Sequence, residues 1–562
     1  MSDSDNKTLA AQLKNTGNTF FAAKKYQAAY NKYSEAIRLD DNSAILYANR
    51  AACSQNLRKL TFTAANFTIS ARFLDAASDA KKATEVDGTY PKAWARLAAA
   101  QSRLGNDQSC VDSWKKALLA LPIENLTAVE LRQKGEYESE LKTAQSKLLK
   151  TQTTSPTIIV TKDGQTPWQC AIAMEDDISS RPNESFQSSA FVIAGAYRDW
   201  QDGEKKMKMQ KVTRSPQGMS MMSGWTGAIA SLTNAILRDD RIFHMSDSRW
   251  TDMYNKQVSI EAQQVGAWVD IGPKQVIVEA VKRQHTQGWN AVRPALSTTI
   301  RLWIMRGFME QTIRQNHDVG VEFIGRALEV LRWGLNEWKD VPEEQKGAIF
   351  VNSFIRGVHS LYLETYMKAT MSQPGKFSLE TLLKEAQDLL ADFEVIEIPI
   401  AEPGFFLSFT AYLRGRAFAM IGFYNVQKAK RLFTQKIDDV KVLFTHWREA
   451  ADAYVKAANS YPPDDEMHIW FLTCACQNYF LAGTPLSVTL PLLERIRVAY
   501  PNVMKIWRNS ALSVQSGDTY QTAIDTEQIC REGLEDNKLT MDSDYLPDGL
   551  ISQLPTYDDL RH

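Results

Sequence analysis

The 562-residue chain is poor in cysteine, glycine and proline, and has no excess of either charge. Its six cysteines, Cys53, Cys110, Cys170, Cys474, Cys476 and Cys530, are too few for a disulfide scaffold. They form no CxxC pair, and the CAC triplet at 474–476 is not a zinc spacing. With 27 glycines and 19 prolines, collagen-like and turn-rich all-β chains are disfavoured and helix is favoured. Lys+Arg total 65 against 66 Asp+Glu, so bulk charge does not make the protein a nucleic-acid binder. No uncharged run approaches the roughly 20 apolar residues that span a bilayer. The nearest, 469–483, contains Gln477 and Asn478 and reads as a buried helix. The polar N-terminus MSDSDNKTLA carries no basic-then-apolar signal, and a reducing cytosol is the expected compartment. GxGxxG, P-loop, HExxH and GxSxG patterns are missing. The seven histidines, among them His244, His359 and His468, have no ligand-spaced partner. No metal, cofactor or catalytic activity is therefore expected.

What is present is 44% apolar and 23% charged residues, enough for sizeable cores in about three to four domains. Charge is uneven: residues 1–150 hold 22 basic and 16 acidic side chains, the remainder 43 and 50. A basic N-terminal module favours an acidic partner.

A 34-residue period runs through that module. Residues 10–43 carry Gly17, Phe20, Ala29, Tyr33 and Ala36, and residues 91–124 carry Trp94, Leu97, Ala98, Ala117 and Pro122. Small residues recur where two helices would cross, with aromatics filling the gap beside them. The unit between, 44–90, has Tyr47, Ala51, Ala76, Ala80 and Ala83 but is 13 residues too long. Removing 61–73 (TFTAANFTISARF) restores the period, either as an insertion in the turn between the two helices or as an unspliced intron. The three units resemble the tetratricopeptide repeat, a helix–turn–helix. The resemblance implies a short solenoid whose first helices line a concave groove for peptides, followed by a capping helix over 125–150.

Lys14 and Asn18 are four residues apart and share a helix face, Asn49 lies on the first helix of the second unit, and Lys92 and Arg96 repeat the spacing of four on the third. All five fall on groove-lining positions of the repeat. Three cations and two amides converging there suit a ligand with neighbouring carboxylates. These residues, in KNTGN, YANRAA and KAWAR, match the two-carboxylate clamp of co-chaperone tetratricopeptide domains, most similar to the small glutamine-rich ones. The resemblance implies binding of the C-terminal Glu-Glu-Val-Asp of heat-shock chaperones of the seventy- and ninety-kilodalton classes. The alternatives are a generic protein-binding scaffold and, in the C-terminal half, an enzyme of unrecognised class. Trp94 and Trp114 read as framework.

The fold class expected is mainly α: a three-repeat solenoid over 10–150 with the insertion at 61–73, a linker and poorly defined segment over 151–224, a helical, repeat-like domain over 225–534, and a disordered tail over 535–562. Candidate strands lie at 157–160 and 190–197, and the methionine-rich 201–224 reads as a flexible loop. Helical periodicity covers 321–338, 347–367, 406–433 and 447–464, the last spaced like a repeat's second helix through Ala450, Tyr454 and Ala457. This half resembles no family and would contact a client or adaptor. The pairs Asp239–Asp240 and Asp464–Asp465 read as helix caps.

Overall fold

The computed structural model describes residues 3–57, 72–153, 164–179, 186–214, 220–393, 402–434 and 440–551. In chain order its first helices are α1 (Asp3–Ala22), α2 (Tyr26–Leu39), α3 (Ala44–Asn56), α4 (Phe73–Val86), α5 (Pro91–Arg103), α6 (Asp107–Leu119) and α7 (Ala128–Thr153). There follow α8 (Pro167–Ser179), α9 (Ala190–Lys208), a hairpin of β1 (Lys211–Arg214) and β2 (Ser220–Ser223), α10 (Ala228–Arg238) and α11 (Trp250–Val265). Next come α12 (Pro273–Gln287), α13 (Trp289–Thr312), α14 (His317–Glu337), α15 (Glu343–Lys346), α16 (Asn352–Ser372) and α17 (Leu379–Ala391). The last are α18 (Pro403–Phe406), α19 (Tyr412–Thr434), α20 (Val440–Ala458), α21 (Glu466–Leu481), α22 (Leu486–Trp507), α23 (Ala511–Glu535) and α24 (Asp548–Ile551). The fold is mainly α, and among the described residues no helix is long and apolar enough to cross a membrane.

Two compact units divide the chain. The first comprises residues 1–157 and 261–350, the second 158–260 and 351–562. The helical domain read over 225–534 is thus cut, because α12 to α14 pack with the N-terminal helices.

In the first unit, α1 to α6 form three consecutive helical hairpins and α7 packs on α6. The hairpins close because small residues meet rings: a methyl group on Gly17 of α1 would lie 2.7 Å from the Tyr33 ring of α2. Ala29, Tyr33 and Ala36 of α2 and Ala76, Ala80 and Ala83 of α4 are buried at spacings of three and four, one helix face each. Pro91 opens α5, where its missing N–H costs nothing. The α5–α6 turn needs a left-handed residue, supplied by Gly105 at φ +67°. A capping box starts α7: Glu130 accepts from the Thr127 N–H at 2.8 Å, and Thr127 Oγ1 accepts from the Glu130 N–H at 3.3 Å.

Residues 58–71, most of the 61–73 segment, lie outside the described residues. Its last two residues are part of the fold. Phe73 begins α4, and Arg72 is buried with its N–H bonded to the Ser54 carbonyl at 2.9 Å.

Arg72 opens a charged seam between α4 and α12 to α14. Its guanidinium stands 3.7 Å from both Asp75 and Glu329. Arg326, 1% exposed, pairs with Glu322 at 3.2 Å and Glu329 at 2.6 Å, and Glu322 accepts from the Leu74 N–H at 3.3 Å. Gly272 makes room for Asp75, since a methyl group there would lie 2.5 Å from Oδ1. At the other end, Arg306 and Arg314 reach the Gly105 carbonyl at 3.4 and 3.1 Å while both pairing with Glu310.

In the second unit the segment read as linker holds α8, α9 and the hairpin. Residues 190–197, read as a candidate strand, are the first turns of α9. Apolar residues at 193, 196, 200 and 207 are buried, a helical period that outweighs the β-branched run. Residues 157–160 lie outside the described residues. The acidic pairs do cap helices: Asp239 accepts from the Arg241 N–H at 3.0 Å and Asp465 from the Met467 N–H at 2.8 Å. Helices α19 and α20 repeat the device of the first unit, with a methyl group on Gly422 placed 2.9 Å from the Tyr454 ring. The expected disordered tail is ordered as far as it is described. Leu539 and Tyr545 pack on a cluster of Leu486, Leu490 and Cys530, and the Met541 and Ser543 carbonyls accept the N–H groups of Ser487 and Leu486 at the start of α22. Those apolar side chains and the open N–H groups of α22 explain the order.

Burial, with the Glu329 charge, pushes the Asp75 carboxyl up to about 7 against the opposing Arg72 and Arg326. The unfolded chain loses that proton near pH 4. Between those values the folded state holds a proton that the unfolded state has released, so stability declines as pH rises through this window. Asp75→Asn should flatten the decline in urea midpoint between pH 5 and pH 8, measured by circular dichroism.

Candidate peptide-binding groove

The first helices of the three hairpins are α1, α3 and α5, and the five residues singled out in the sequence lie on them. On α1, Ala10 and Gly17 turn inward and Lys14 and Asn18 sit one turn apart beside them. Asn18 is exposed and Lys14 half-buried.

Asn18 and Asn49 meet. The Asn18 Oδ1 accepts from the Tyr33 hydroxyl at 2.7 Å and from Asn49 Nδ2 at 3.3 Å. Burial pushes the Tyr33 hydroxyl up to about 12, so it stays protonated and keeps donating. Both bonds use the Asn18 oxygen, and its amide nitrogen retains donor capacity.

Lys92 and Arg96 line one groove of about 1120 Å³, together with Ala95 and Ala99, Trp114 of α6 and Tyr137 of α7. Alanines at 95 and 99 keep the floor low beside the two cations. Trp114 is buried against Tyr137 with ring centroids 5.4 Å apart, so it acts as framework. Trp94 is tied to the Gly88 carbonyl at 2.8 Å, also framework. Lys14, Asn18 and Asn49 are not among the residues lining this groove. The link between the two groups is α3 against α5, where Gln55 Nε2 donates to the Arg96 carbonyl at 2.8 Å. Among the described residues Lys14, Lys92 and Arg96 have no carboxylate partner. An anion arriving there would displace no internal ion pair.

Two contributions were not visible in the sequence. Arg50, next to Asn49, binds Asp79 of α4 through Nε at 2.8 Å and Nη2 at 2.7 Å, reaches Ser34 of α2 at 3.3 Å, and lies 5.6 Å from each of the Tyr30 and Tyr47 rings. Burial works against the guanidinium, and Asp79 more than offsets it, holding Arg50 well above its ordinary range. One side chain thus ties α3 to both α2 and α4. The second is the start of α14. Asp318 and Val319 line the same groove as Lys92 with no repeat-like signal. Among the described residues no group of His, Cys, Asp and Glu could hold a metal ion.

Arg50→Ala leaves Asp79 buried without its partner, which should cost about 3–5 kcal/mol of stability. Removing both, in Arg50→Ala with Asp79→Ala, should cost clearly less than the two single changes summed. A urea-denaturation double-mutant cycle measures this coupling.

No family model matches the chain. It is 34% identical over 146 residues to the small glutamine-rich tetratricopeptide repeat-containing protein 2 of Saccharomyces cerevisiae, which covers 26% of this chain and 37% of that protein. It is 34% identical over 111 residues to the Hsp70-Hsp90 organizing protein 3 of Arabidopsis thaliana, covering 20% and 18%. The crystal structure of the Sgt2 TPR domain from Aspergillus fumigatus matches 27% of the chain and 89% of that domain at 24% identity, with a TM-score of 0.21. The matched stretches thus span well under half of the relatives' own length. Over about a quarter of its length, the chain is similar to small glutamine-rich tetratricopeptide repeat-containing proteins.

Proposed function

We propose that this protein is a tetratricopeptide adaptor that holds the acidic C-terminal tail of heat-shock chaperones, of the seventy- or ninety-kilodalton class. Lys14, Asn18, Asn49, Lys92 and Arg96 act as a carboxylate clamp. The observation that carries the reading is the pairing of Asn18 on α1 with Asn49 on α3 at 3.3 Å, beside Lys14 of α1 and Lys92 and Arg96 of α5, which have no carboxylate partner among the described residues. Donors with no internal acceptor are a standing site for carboxylates. In this reading the amides and Lys14 take one carboxylate group, and Lys92 and Arg96 take a second. A chain ending in aspartate supplies two carboxylates on its last residue. The names of the relatives, one a heat-shock organizing protein, support the same partner class. The second unit then contacts a client or a further factor.

Calorimetry with an acetylated peptide ending Glu-Glu-Val-Asp should give micromolar affinity, about −8 kcal/mol. Lys92→Ala should weaken it at least about tenfold, since a charge-assisted hydrogen bond contributes roughly 1.5–3 kcal/mol. The amidated peptide, which lacks the terminal carboxylate, should bind more weakly still. Equal affinity in wild type and Lys92→Ala would reject the clamp.

A further inference from the structure

The second unit has a groove of its own, about 700 Å³, bounded by α18, the start of α19, the end of α20 and α22. Three cations line it, Arg414, Lys456 and Arg495, with three phenylalanines, Phe186, Phe406 and Phe418, and the rings of Tyr461 and His468. No aspartate or glutamate is among its lining residues.

The surrounding carboxylates are occupied elsewhere. Asp452 accepts from the Tyr479 hydroxyl, and Asp464 accepts from the Ser189 N–H at 2.7 Å. Asp465 and Glu466 bind Arg241 at 2.9 and 3.2 Å, Glu494 pairs with Arg497 and Arg531, and Glu402 with Arg238. Arg414 and Lys456 have no carboxylate partner among the described residues. Arg495 is half-buried and donates to a neutral amide, Asn459 Oδ1, at 2.7 Å. Burial lowers its guanidinium pKa from the ordinary value, the mark of a cation short of counter-charge.

The wall carries a second irregularity. Residues Leu407–Ala411 form a π-helical turn between α18 and α19, a widening that recurs at functional sites. It lies one turn before Arg414 and directly follows Phe406, whose ring meets Phe186 edge to face at 5.8 Å.

We propose that this groove binds a short acidic segment of a partner protein, its carboxylates on Arg414, Lys456 and Arg495 and an apolar side chain among Phe186, Phe406 and Phe418. A free phosphate or acetate would leave the rings unused. Rings and cations together also suit single-stranded nucleic acid. The chain beyond residue 150, with 43 basic against 50 acidic residues, would repel a polyanion that extends past the groove. A peptide with carboxylates between apolar side chains fits the volume, the charge and the rings together.

The probe is a fluorescein-labelled, C-terminally amidated peptide Phe-Glu-Leu-Glu-Phe-Asp, titrated with the full chain and followed by anisotropy. Amidation keeps it from engaging the N-terminal clamp by a chain terminus. Saturable binding is expected, weakened at least about tenfold in Arg414→Glu with Lys456→Glu and unchanged in Lys92→Ala. Both substituted residues are exposed, and circular dichroism of the Arg414→Gln, Lys456→Gln pair, which should also weaken binding, verifies the fold. A peptide with Lys in place of Glu and Asp should not compete, nor should oligo-uridine. Lack of binding, binding indifferent to the double substitution, or displacement by oligo-uridine would overturn the proposal.

Discussion

The buried pair of Arg50 and Asp79 is the constraint on which the N-terminal groove depends. Alanine-rich helix faces pack closely but slide, because one methyl-sized contact resembles the next. A bidentate guanidinium–carboxylate bond has one geometry. Placed in the middle hairpin, with Ser34 and the Tyr30 and Tyr47 rings around it, it fixes α3 against α2 and α4 together. Asn49 is the adjacent residue, so its amide reaches Asn18 only in that one register. Lys92 and Arg96 can then stay exposed and without a carboxylate partner among the described residues, because the pair of Arg50 and Asp79 holds the hairpins.

The same logic extends along the first unit. A helical-repeat array ends in unsatisfied surface and needs capping. Here α7 covers α6, while α12 to α14 meet α4 and the α5–α6 turn through ions, with Arg326 between Glu322 and Glu329, and Arg306 and Arg314 on Glu310 and the Gly105 carbonyl. Charged seams have exact partners but a high desolvation cost. Asp75 shows that cost directly, as a carboxyl that burial drives toward neutrality.

The second unit solves its packing with rings. Trp200 stacks on Trp250 at 5.6 Å, and Arg241 sits 3.7 Å from the Trp507 ring while binding Asp239, Asp465 and Glu466. Every carboxylate of that network is committed to Arg241. The cations of the groove lined by Arg414, Lys456 and Arg495 are left without internal counter-charge. The two grooves thus differ in kind: Lys92 and Arg96 over an alanine floor in one, cations and phenylalanines in the other.

The sequence by itself determined what is periodic. Small and aromatic residues at a 34-residue spacing specify the helical hairpins, and spacings of four place Lys14 with Asn18 and Lys92 with Arg96, because a helix face is a local property of 3.6 residues per turn. Capping aspartates and the buried α21 were legible for the same reason. Only the tertiary structure decided what joins distant residues. Asp79 is 29 residues from Arg50, Asp318 is more than 200 from Lys92, and α12 to α14 belong with the first unit across a segment that belongs to the second. The described part of the tail, 535–551, and the strand-like 190–197 differ from the local reading because their order comes from packing with other parts of the chain, at the start of α22 and on the buried face of α9. Local pattern sets which side of a helix is apolar, and desolvation and charge pairing choose what lies against it.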